Sequence, residues 1–359
     1  MESAGDSFRS RLQARWPLLL ARLETLHARY SRVFWTLHSI WALLTGVAVL
    51  VLAHNRYGYL PWVIAFLALT WASTLFFSRL TTALSSRAWR LAQGFVSYIT
   101  RIMYQETLFF LIPFYSYSTT FPSWNSCYVV VLASLAALSC YDLVFDRLLR
   151  KSRVFAMSFF SVVSFSALQY FFPLLFDIKV HLGAYLAAAL AVLAAVPLAY
   201  PWREIREPRR LAVIALAVAA AVGLVRLARP AIPPVPLRLL KVRFTAAFDL
   251  HTHTPSEDFE DRVPASVLTT GRLFAVATIF APNDLRTSVS IRFFADGKAV
   301  HTSRTVDVVA HPRGFRVYDA LPLREGQPLP HSVVAEVWTA EGQLIGRAKA
   351  TIVAGSHGH

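Results

Sequence analysis

Charged residues are scarce in this sequence, and the shortage is uneven along the chain. Lys, Arg, Asp and Glu account for 16% of its 359 residues, whereas soluble globular domains carry about 25%. Long apolar runs fill the first two thirds, and the last third has the composition of an ordinary soluble domain. The sequence therefore predicts a multi-pass membrane protein that ends in a soluble domain.

Cysteine is nearly absent as well. The two cysteines, Cys127 and Cys140, fall in one apolar segment thirteen positions apart. On a helix this spacing separates them by about 20 Å, which is too far for a disulfide bond within the segment. We therefore interpret both as packing residues and not as a redox pair.

The sequence also lacks the common enzyme motifs. It contains no Walker loop, no G-x-S-x-G and no H-E-x-x-H. This absence favours a function without catalysis, and no catalytic residue and no cofactor are predicted.

The net charge is +15, and such an excess can indicate nucleic-acid binding. Here, however, the arginines cluster in short loops between apolar runs, which is typical of the signals that orient membrane proteins. We therefore predict a lipid bilayer as the partner and no nucleic acid.

Seven apolar segments follow a basic, amphipathic stretch at residues 1–32. A hydrocarbon core of about 30 Å needs about 20 residues of helix, and most of the segments are near that length. The sequence therefore predicts an α-helical transmembrane bundle of about seven spans within residues 33–229. Pro113 interrupts the third segment, and Arg226 lies inside the end of the seventh. The predicted spans are residues 33–53, 57–77, 102–121, 126–145, 154–176, 180–200 and 211–227.

The connections between these segments alternate in basic residues. One set of connections contains only Arg56 and Lys179. Because basic loops stay in the cytoplasm, the N-terminus is predicted inside the bacterial inner membrane and the C-terminal domain outside the cytoplasm. The other set holds Arg9, Arg11, Arg15, Arg22, Arg29, Arg32, Arg79, Arg87, Arg90, Arg101, Arg147, Arg150, Lys151, Arg153, Arg203, Arg206, Arg209 and Arg210.

The last third of the chain reads as short strands. A Pro-rich linker at residues 230–240 precedes residues 241–353, which are rich in β-branched and aromatic residues. Asp296-Gly297 and Glu341-Gly342 are typical of tight turns between antiparallel strands. We predict an all-β, immunoglobulin-like sandwich domain here, followed by a disordered tail at residues 354–359.

Two runs in this region carry a family resemblance. They are Arg-Gly-Phe-Arg-Val-Tyr at 313–318 and Val-Ala-Glu-Val-Trp at 334–338, the latter followed by Gly342 and by Leu-Ile-Gly at 344–346. The region resembles the C-terminal β-sandwich domain of unknown function found in uncharacterised bacterial multi-pass membrane proteins. The resemblance covers roughly the last hundred residues and implies a fold and an envelope location. It implies no activity and no catalytic residue.

Polar residues inside the predicted spans are the candidate site residues, because a charge at mid-membrane costs about 2.5–3.5 kcal/mol. Glu106 and Asp142 lie toward the cytoplasmic ends of their segments, with Arg101 nearby. They suggest a proton or ion relay or a headgroup pocket, but salt bridges between the third and fourth helices are the favoured explanation. Gln169 and His38 are lone polar residues, which interhelical hydrogen bonds explain as well as a ligand does.

A second, weaker candidate lies after the first predicted strand. His251 and His253 alternate, so their side chains face one way on a strand, and acidic residues follow them. This spacing is a weak signal for a metal site, and a solvated loop is the favoured interpretation. No metal is therefore predicted.

Three functions remain open from the sequence. The favoured one is an integral membrane protein whose helices anchor an extracytoplasmic sandwich that binds an envelope protein or a cell-wall polymer. The alternative is a small-molecule or lipid transporter with a regulatory sandwich domain, although a lone proline and no internal repeat weaken it. An intramembrane enzyme that uses Glu106 or Asp142 is the least favoured.

Overall fold

The structure is a computed structural model. It describes residues 104–353, apart from positions 141, 177, 250–253, 256–257, 270–271, 283–284, 286, 310, 312–313 and 323–327, together with scattered helical positions between residues 30 and 48. The first predicted span is thus described only at scattered positions, and the second lies outside the described residues. The amphipathic stretch at 1–32 and the tail at 354–359 also fall outside them, except for Tyr30.

Helices fill the described chain as far as residue 231. The first, α1, covers residues 104–117. The others are α2 (Ser126–Cys140), α3 (Asp142–Lys151), α4 (Arg153–Phe176), α5 (Val180–Ala199), α6 (Trp202–Ile205) and α7 (Pro208–Leu227), followed by a short 3-10 helix at Arg229–Ala231.

Small residues let α4, α5 and α7 pack closely. Ala187 and Ala191 on α5 are buried in a cluster that also holds Phe165 of α4 and Val225 of α7. A Cβ on Gly183 would lie 3.1 Å from the ring of Pro173, so α5 packs closely against α4 near their short connection. Close approach through small residues is typical of helices that pack inside membranes.

The prediction of about seven spans is wrong. Among the described helices, three are long and apolar enough to cross a membrane by length and composition, namely Arg153–Phe176, Val180–Pro197 and Pro208–Leu227. They coincide with the last three predicted segments. Within the described residues, the third and fourth predicted segments form helices shorter than a span, and each has an identifiable physical reason.

The third segment ends early because its last residues hydrogen-bond to its own backbone. The helix α1 stops at residue 117, where Ser, Thr and aromatic residues replace the aliphatic ones. The hydroxyl of Thr119 donates to the carbonyl of Tyr115 at 2.7 Å, and the Ser118 amide donates to the carbonyl of Phe114 at 3.2 Å. The Thr119 side chain thus satisfies a carbonyl that the next amide of a longer helix would have used.

The fourth segment is divided by a change in hydrophobic pattern. Its apolar part forms α2, which ends at Cys140 after 15 residues. A separate helix, α3, then begins at Asp142, and charged residues alternate with apolar ones along it. Phe145 of α3 is fully buried whereas Val144 is half exposed, so α3 is an amphipathic helix and not the end of a span.

Two main sheets form the C-terminal region. One has three antiparallel strands in the order β1-β5-β9, and the other has the order β4-β11-β10-β6-β7, with β8 beside β6. The strands are β1 (Arg238–Thr245), β2 (Phe248–Asp249), β3 (Thr254–Pro255), β4 (Arg262–Pro264), β5 (Arg272–Phe280), β6 (Ser288–Ala295), β7 (Lys298–Thr302), β8 (Val306–Asp307), β9 (Phe315–Pro322), β10 (Ser332–Thr339) and β11 (Leu344–Val353).

Alternating apolar residues build the core between the sheets. In β10 the buried residues Val333, Ala335 and Val337 alternate with more exposed ones. Ala335 pairs with Phe293 of β6, so large and small side chains face the core side by side. This period of two is the pattern of strands with one buried face.

The prediction of an all-β, immunoglobulin-like sandwich behind the spans is corrected as well. The region is rich in β-sheet, but a helix, α8 (Ala265–Thr269), follows β4. The short strand β4 also pairs in parallel with β11, with Ile352 opposite Val263. A parallel neighbour needs a long connection, and here most of the region lies between the two strands.

The Pro-rich segment lies between the helices and the sheets. Val235 and Leu237 are fully buried, and they belong to one hydrophobic core that also contains Leu111 of α1 and Ile279 of β5. The helical part and the sheet region therefore share a continuous core. The sequence-based domain boundaries at residues 33, 230 and 241 stay predictions.

Candidate functional site

The described helices contact the sheet region through a set of loops and turns. The contact consists of the loop at residues 118–125, the start of α5, the residues after α7, and the turn between β10 and β11. We call this contact the helix–sheet junction. It is built from polar side chains that bind main-chain groups across it.

Asn125 organises the loop on the helical side of the junction. Its side chain is 1% exposed, and its amide donates to the carbonyl of Leu344 in β11 at 3.0 Å. Its oxygen accepts a hydrogen bond from the amide of Thr120 at 3.3 Å and one from the hydroxyl of Ser123. The same side chain thus shapes the loop and fixes it to the sheet.

Gln343 and Arg347 hold the junction from the sheet side. The Gln343 side chain is 4% exposed, and its amide donates to the carbonyl of Ile232, in the Pro-rich segment, at 2.9 Å. The guanidinium of Arg347 donates to the carbonyl of Pro122 at 2.8 Å. A buried carbonyl that loses its partner costs about 1–3 kcal/mol, so the buried bond from Gln343 to Ile232 fixes the position of the turn.

Charged and aromatic groups surround Glu341 at the tip of the turn. Its carboxylate lies 2.8 Å from Nδ1 of His181 in the first turn of α5. Its carbonyl accepts a hydrogen bond from the guanidinium of Arg229 at 3.2 Å. Arg229 also lies over the ring of Tyr185, 5.0 Å from its centroid. The turn is therefore held by two separate helical elements.

A buried polar network lies beneath the junction, between the helices. The Tyr115 hydroxyl donates to the carbonyl of Ser166 at 2.9 Å and lies 3.2 Å from Oε1 of Gln169. The Gln169 amide donates to the carbonyl of Pro233 at 3.3 Å. The hydroxyls of Tyr128 and Ser166 lie 2.7 Å apart. The network links α1, α2 and α4 to the Pro-rich segment.

Most basic residues of the described helices lie at the opposite end, which we call the basic end. It consists of the chain from Arg147 to Arg153 and from Arg203 to Arg210. At this end Arg210 lies over the ring of Tyr200, 4.6 Å from its centroid. At the junction end, the loop at residues 118–125 contains no Lys or Arg, and the connection between α4 and α5 contains only Lys179. Arg226 and Arg229, at and just after the end of α7, also lie at the junction end.

The structure brings one of the sequence-predicted candidates into a defined site. Gln169 is fully buried, and both polar atoms of its side chain are hydrogen-bonded in the network beneath the junction. Glu106 is partly buried near the start of α1, far along the helix from Tyr115. Asp142 is the first residue of α3 and lies outside any helix of spanning length.

The remaining candidates are not placed. Arg101, His38, His251 and His253 lie outside the described residues. Among the residues that the structure describes, no group of three or more His, Cys, Asp or Glu side chains could hold a metal ion. Cys127 and Cys140 both lie in exposed positions.

Comparison with protein families assigns the chain to a family. Residues 14–275 match a family described as a family of unknown function, DUF5924. The chain belongs to this family. The matched residues cover the helices, the Pro-rich segment and the first strands, and they end inside β5.

The family match and the resemblance read from the sequence concern different parts of the chain. The runs at 313–318 and 334–346 lie beyond the matched residues. The DUF5924 description states only that the function is unknown, and it names neither a source nor a membrane. The bacterial origin and the multi-pass membrane character therefore stay predictions. A comparison with curated proteins finds no match.

Sequence reasoning missed most of the residues at the junction. Asn125, Gln343 and Arg229 each bind a group more than one hundred positions away in the chain. The only available signal was a polar residue, Asn125, directly before an apolar helix. What the arrangement does is structural: it holds the turn of β10 and β11 in a fixed place on the helices.

Proposed function

We propose that this member of DUF5924 is an integral membrane protein whose helices anchor the sheet-rich region and present it outside the cytoplasm. In this function the sheet-rich region binds an envelope protein or a cell-wall polymer. The observation that carries the proposal is the separation of the junction and the basic end to opposite ends of the same helices.

The distribution of charge supports the orientation. Connections rich in Lys and Arg stay in the cytoplasm, and they occupy the end of the helices that is remote from the sheets. An α5 of 20 residues separates the two ends by about 30 Å, the thickness of a hydrocarbon core. The sheet-rich region would then lie at the outer surface of the membrane.

The exposed surface of the helices supports a lipid environment. The most apolar stretch of 18 residues in α7 contains no buried residue. Leu216 and Leu224 are 70% and 66% exposed. Leu186 and Leu190 of α5 are about half exposed. An apolar surface of this size is typical of a region in contact with lipid or with a partner.

The network beneath the junction argues for anchoring over transport. Among the described residues, Gln169 is the one sequence-predicted polar residue placed deep among the helices, and its hydrogen bonds go to Tyr115 and Pro233. A side chain that is fully used by structural partners is poorly suited to bind and release a solute. We therefore do not favour the transporter alternative.

The test is the side of the membrane on which each end lies. In a Cys127→Ser, Cys140→Ser background, single cysteines replace Val300 on β7 and Arg206 at the basic end, both exposed positions. A membrane-impermeant maleimide is added to spheroplasts. We expect labelling of Val300→Cys in intact spheroplasts, and labelling of Arg206→Cys only after lysis.

Two outcomes would overturn the proposal. Labelling of Arg206→Cys in intact spheroplasts would show that the basic end lies outside the cytoplasm, opposite to the proposed orientation. Release of the full chain into the supernatant by alkaline carbonate would show that its helices do not cross the bilayer. The background without added cysteines is the control for unspecific labelling.

A further inference from the structure

The connection between α5 and α7 holds more positive charge than it can neutralise. Arg210 forms ion pairs with both carboxylates of this connection, at 3.5 Å from Glu204 and 3.9 Å from Glu207. Arg203, Arg206 and Arg209 are exposed and form no ion pair with any residue that the structure describes. Three cations are thus left without a counter-charge from the described part of the chain.

The neighbouring connection has the same character. Arg147, Lys151 and Arg153 are exposed at the end of α3 and the start of α4, and none has an ion pair within the described part of the chain. Because α4 and α5 are joined by a short connection and pack side by side, the start of α4 and the end of α5 lie at the same end. The two basic connections therefore form one surface.

Exposed apolar residues begin directly beside these cations. Val154 follows Arg153 and is 74% exposed, and Leu211 and Val213 follow Arg210 and are 52% and 60% exposed. The amphipathic helix α3 borders the same surface, with Phe145 buried against α4 and with Arg147 and Lys151 exposed. Cations that change to apolar side chains within one or two residues are typical of the headgroup level of a bilayer.

We propose that the basic end is a docking surface for anionic phospholipid headgroups of the leaflet that it faces. The inference rests on the proposed membrane function and names the lipid class that this surface selects. Guanidinium groups suit phosphate because they offer several donors in a planar fork. Exposed apolar residues directly beside the cations favour a lipid over a soluble anion, since a lipid supplies both chemistries.

The test compares lipids retained by the full-length protein. Native protein and a triple variant, Arg203→Gln, Arg206→Gln and Arg209→Gln, are reconstituted in vesicles of about 30% phosphatidylglycerol and 70% phosphatidylcholine. The protein is recovered in lipid discs, and its bound lipids are quantified by mass spectrometry. Each basic residue near an anionic surface changes lipid affinity by roughly fivefold. We therefore expect the variant to lose the enrichment of phosphatidylglycerol by at least about tenfold.

A matched variant controls for net charge. Arg262→Gln, Arg272→Gln and Arg304→Gln remove three exposed arginines from the sheet-rich region. This control should retain the native enrichment, and raising the salt concentration should reduce the enrichment for native protein.

Every outcome bears on the inference. Equal enrichment in native protein and triple variant would overturn it, and so would native protein without any preference for phosphatidylglycerol, which would point to a soluble acidic partner. If the protein still enters the vesicles in these two cases, the proposed anchoring function is not contradicted. If native protein does not enter the vesicles at all, that result would instead contradict the proposed function itself.

Discussion

At the scale of single residues, Gln169 shows how a polar group inside an apolar segment can be structural. Replacing it by leucine removes the hydrogen bonds with Tyr115 and Pro233 and leaves the carbonyl of Pro233 with the amide of Val235 as its remaining donor. We expect Gln169→Leu to lower the free energy of unfolding by about 1–2 kcal/mol, measured in detergent micelles.

A matched change tests whether that loss is specific. The hydroxyl of Ser134 is exposed and bonds only to the carbonyl of Val130 in its own helix. Ser134→Ala should therefore change the free energy of unfolding by less than about 0.5 kcal/mol. Equal stability of the native protein and Gln169→Leu would mean that the network beneath the junction contributes nothing.

Asp296 predicts a dependence of stability on acid pH. Its exposed carboxylate accepts hydrogen bonds from the main-chain amides of His331 and Ser332, and these lower its pKa below the ordinary value of 3.8. Because the pKa is lower in the folded state, the carboxylate stabilises the fold above its unfolded pKa. That stability is lost as the pH falls through the folded pKa.

The variant Asp296→Asn isolates this effect. Asparagine also tolerates the positive φ of 47° at this position, so the turn is retained. We expect the variant to melt at a lower temperature than native protein near about pH 6, and the difference to shrink below about pH 3. A difference that stays constant with pH would contradict the role of the charge.

At the scale of elements, length and hydropathy predict helices that run uninterrupted and fail where local chemistry ends one. The segments at 154–176, 180–200 and 211–227 match α4, α5 and α7. The segment at 102–121 was overestimated because the Thr119 side chain ends α1. The fourth segment was overestimated because charged residues recur from Asp142 onward, and this part of the chain forms the separate amphipathic helix α3.

The junction could not be predicted for a different reason. Asn125 and Leu344 are 219 positions apart, and no local pattern links a loop between helices with a turn between strands. The turns at Asp296-Gly297 and Glu341-Gly342 follow from local residue preferences, and both glycines have positive φ. The place where the second turn binds depends on the whole fold.

The close approach of β1 and β11 gives a prediction at this scale. A Cβ at Gly346 would lie 2.6 Å from Cβ of Leu239, and strand backbones cannot yield easily there. We expect Gly346→Ala to lower the free energy of unfolding by about 1–3 kcal/mol, measured by thermal denaturation in micelles.

A second glycine serves as the control for that change. A Cβ at Gly223 in α7 would meet nothing within 4 Å. Gly223→Ala should raise the free energy of unfolding by about 0.5–1 kcal/mol, because alanine favours the helix. Similar effects of the two changes would contradict the close approach of the strands.

At the scale of the whole molecule, the described chain is polarised along its helices. The sheets share a core with the helices at the junction, and free cations collect at the basic end. This polarity underlies both the proposed orientation and the proposed lipid surface. It requires that the turn of β10 and β11 touch the start of α5 and stay away from the loop before α7.

Cross-linking tests this arrangement most directly. In the Cys127→Ser, Cys140→Ser background, Glu341→Cys is combined either with His181→Cys or with Arg206→Cys, and a short bis-maleimide is added to the full chain in membranes. His181 and Glu341 are in contact, whereas α5 separates Arg206 from the junction by about 30 Å. The account predicts an intramolecular cross-link for positions 181 and 341 and none for 206 and 341. A cross-link between 206 and 341, or none between 181 and 341, would contradict it.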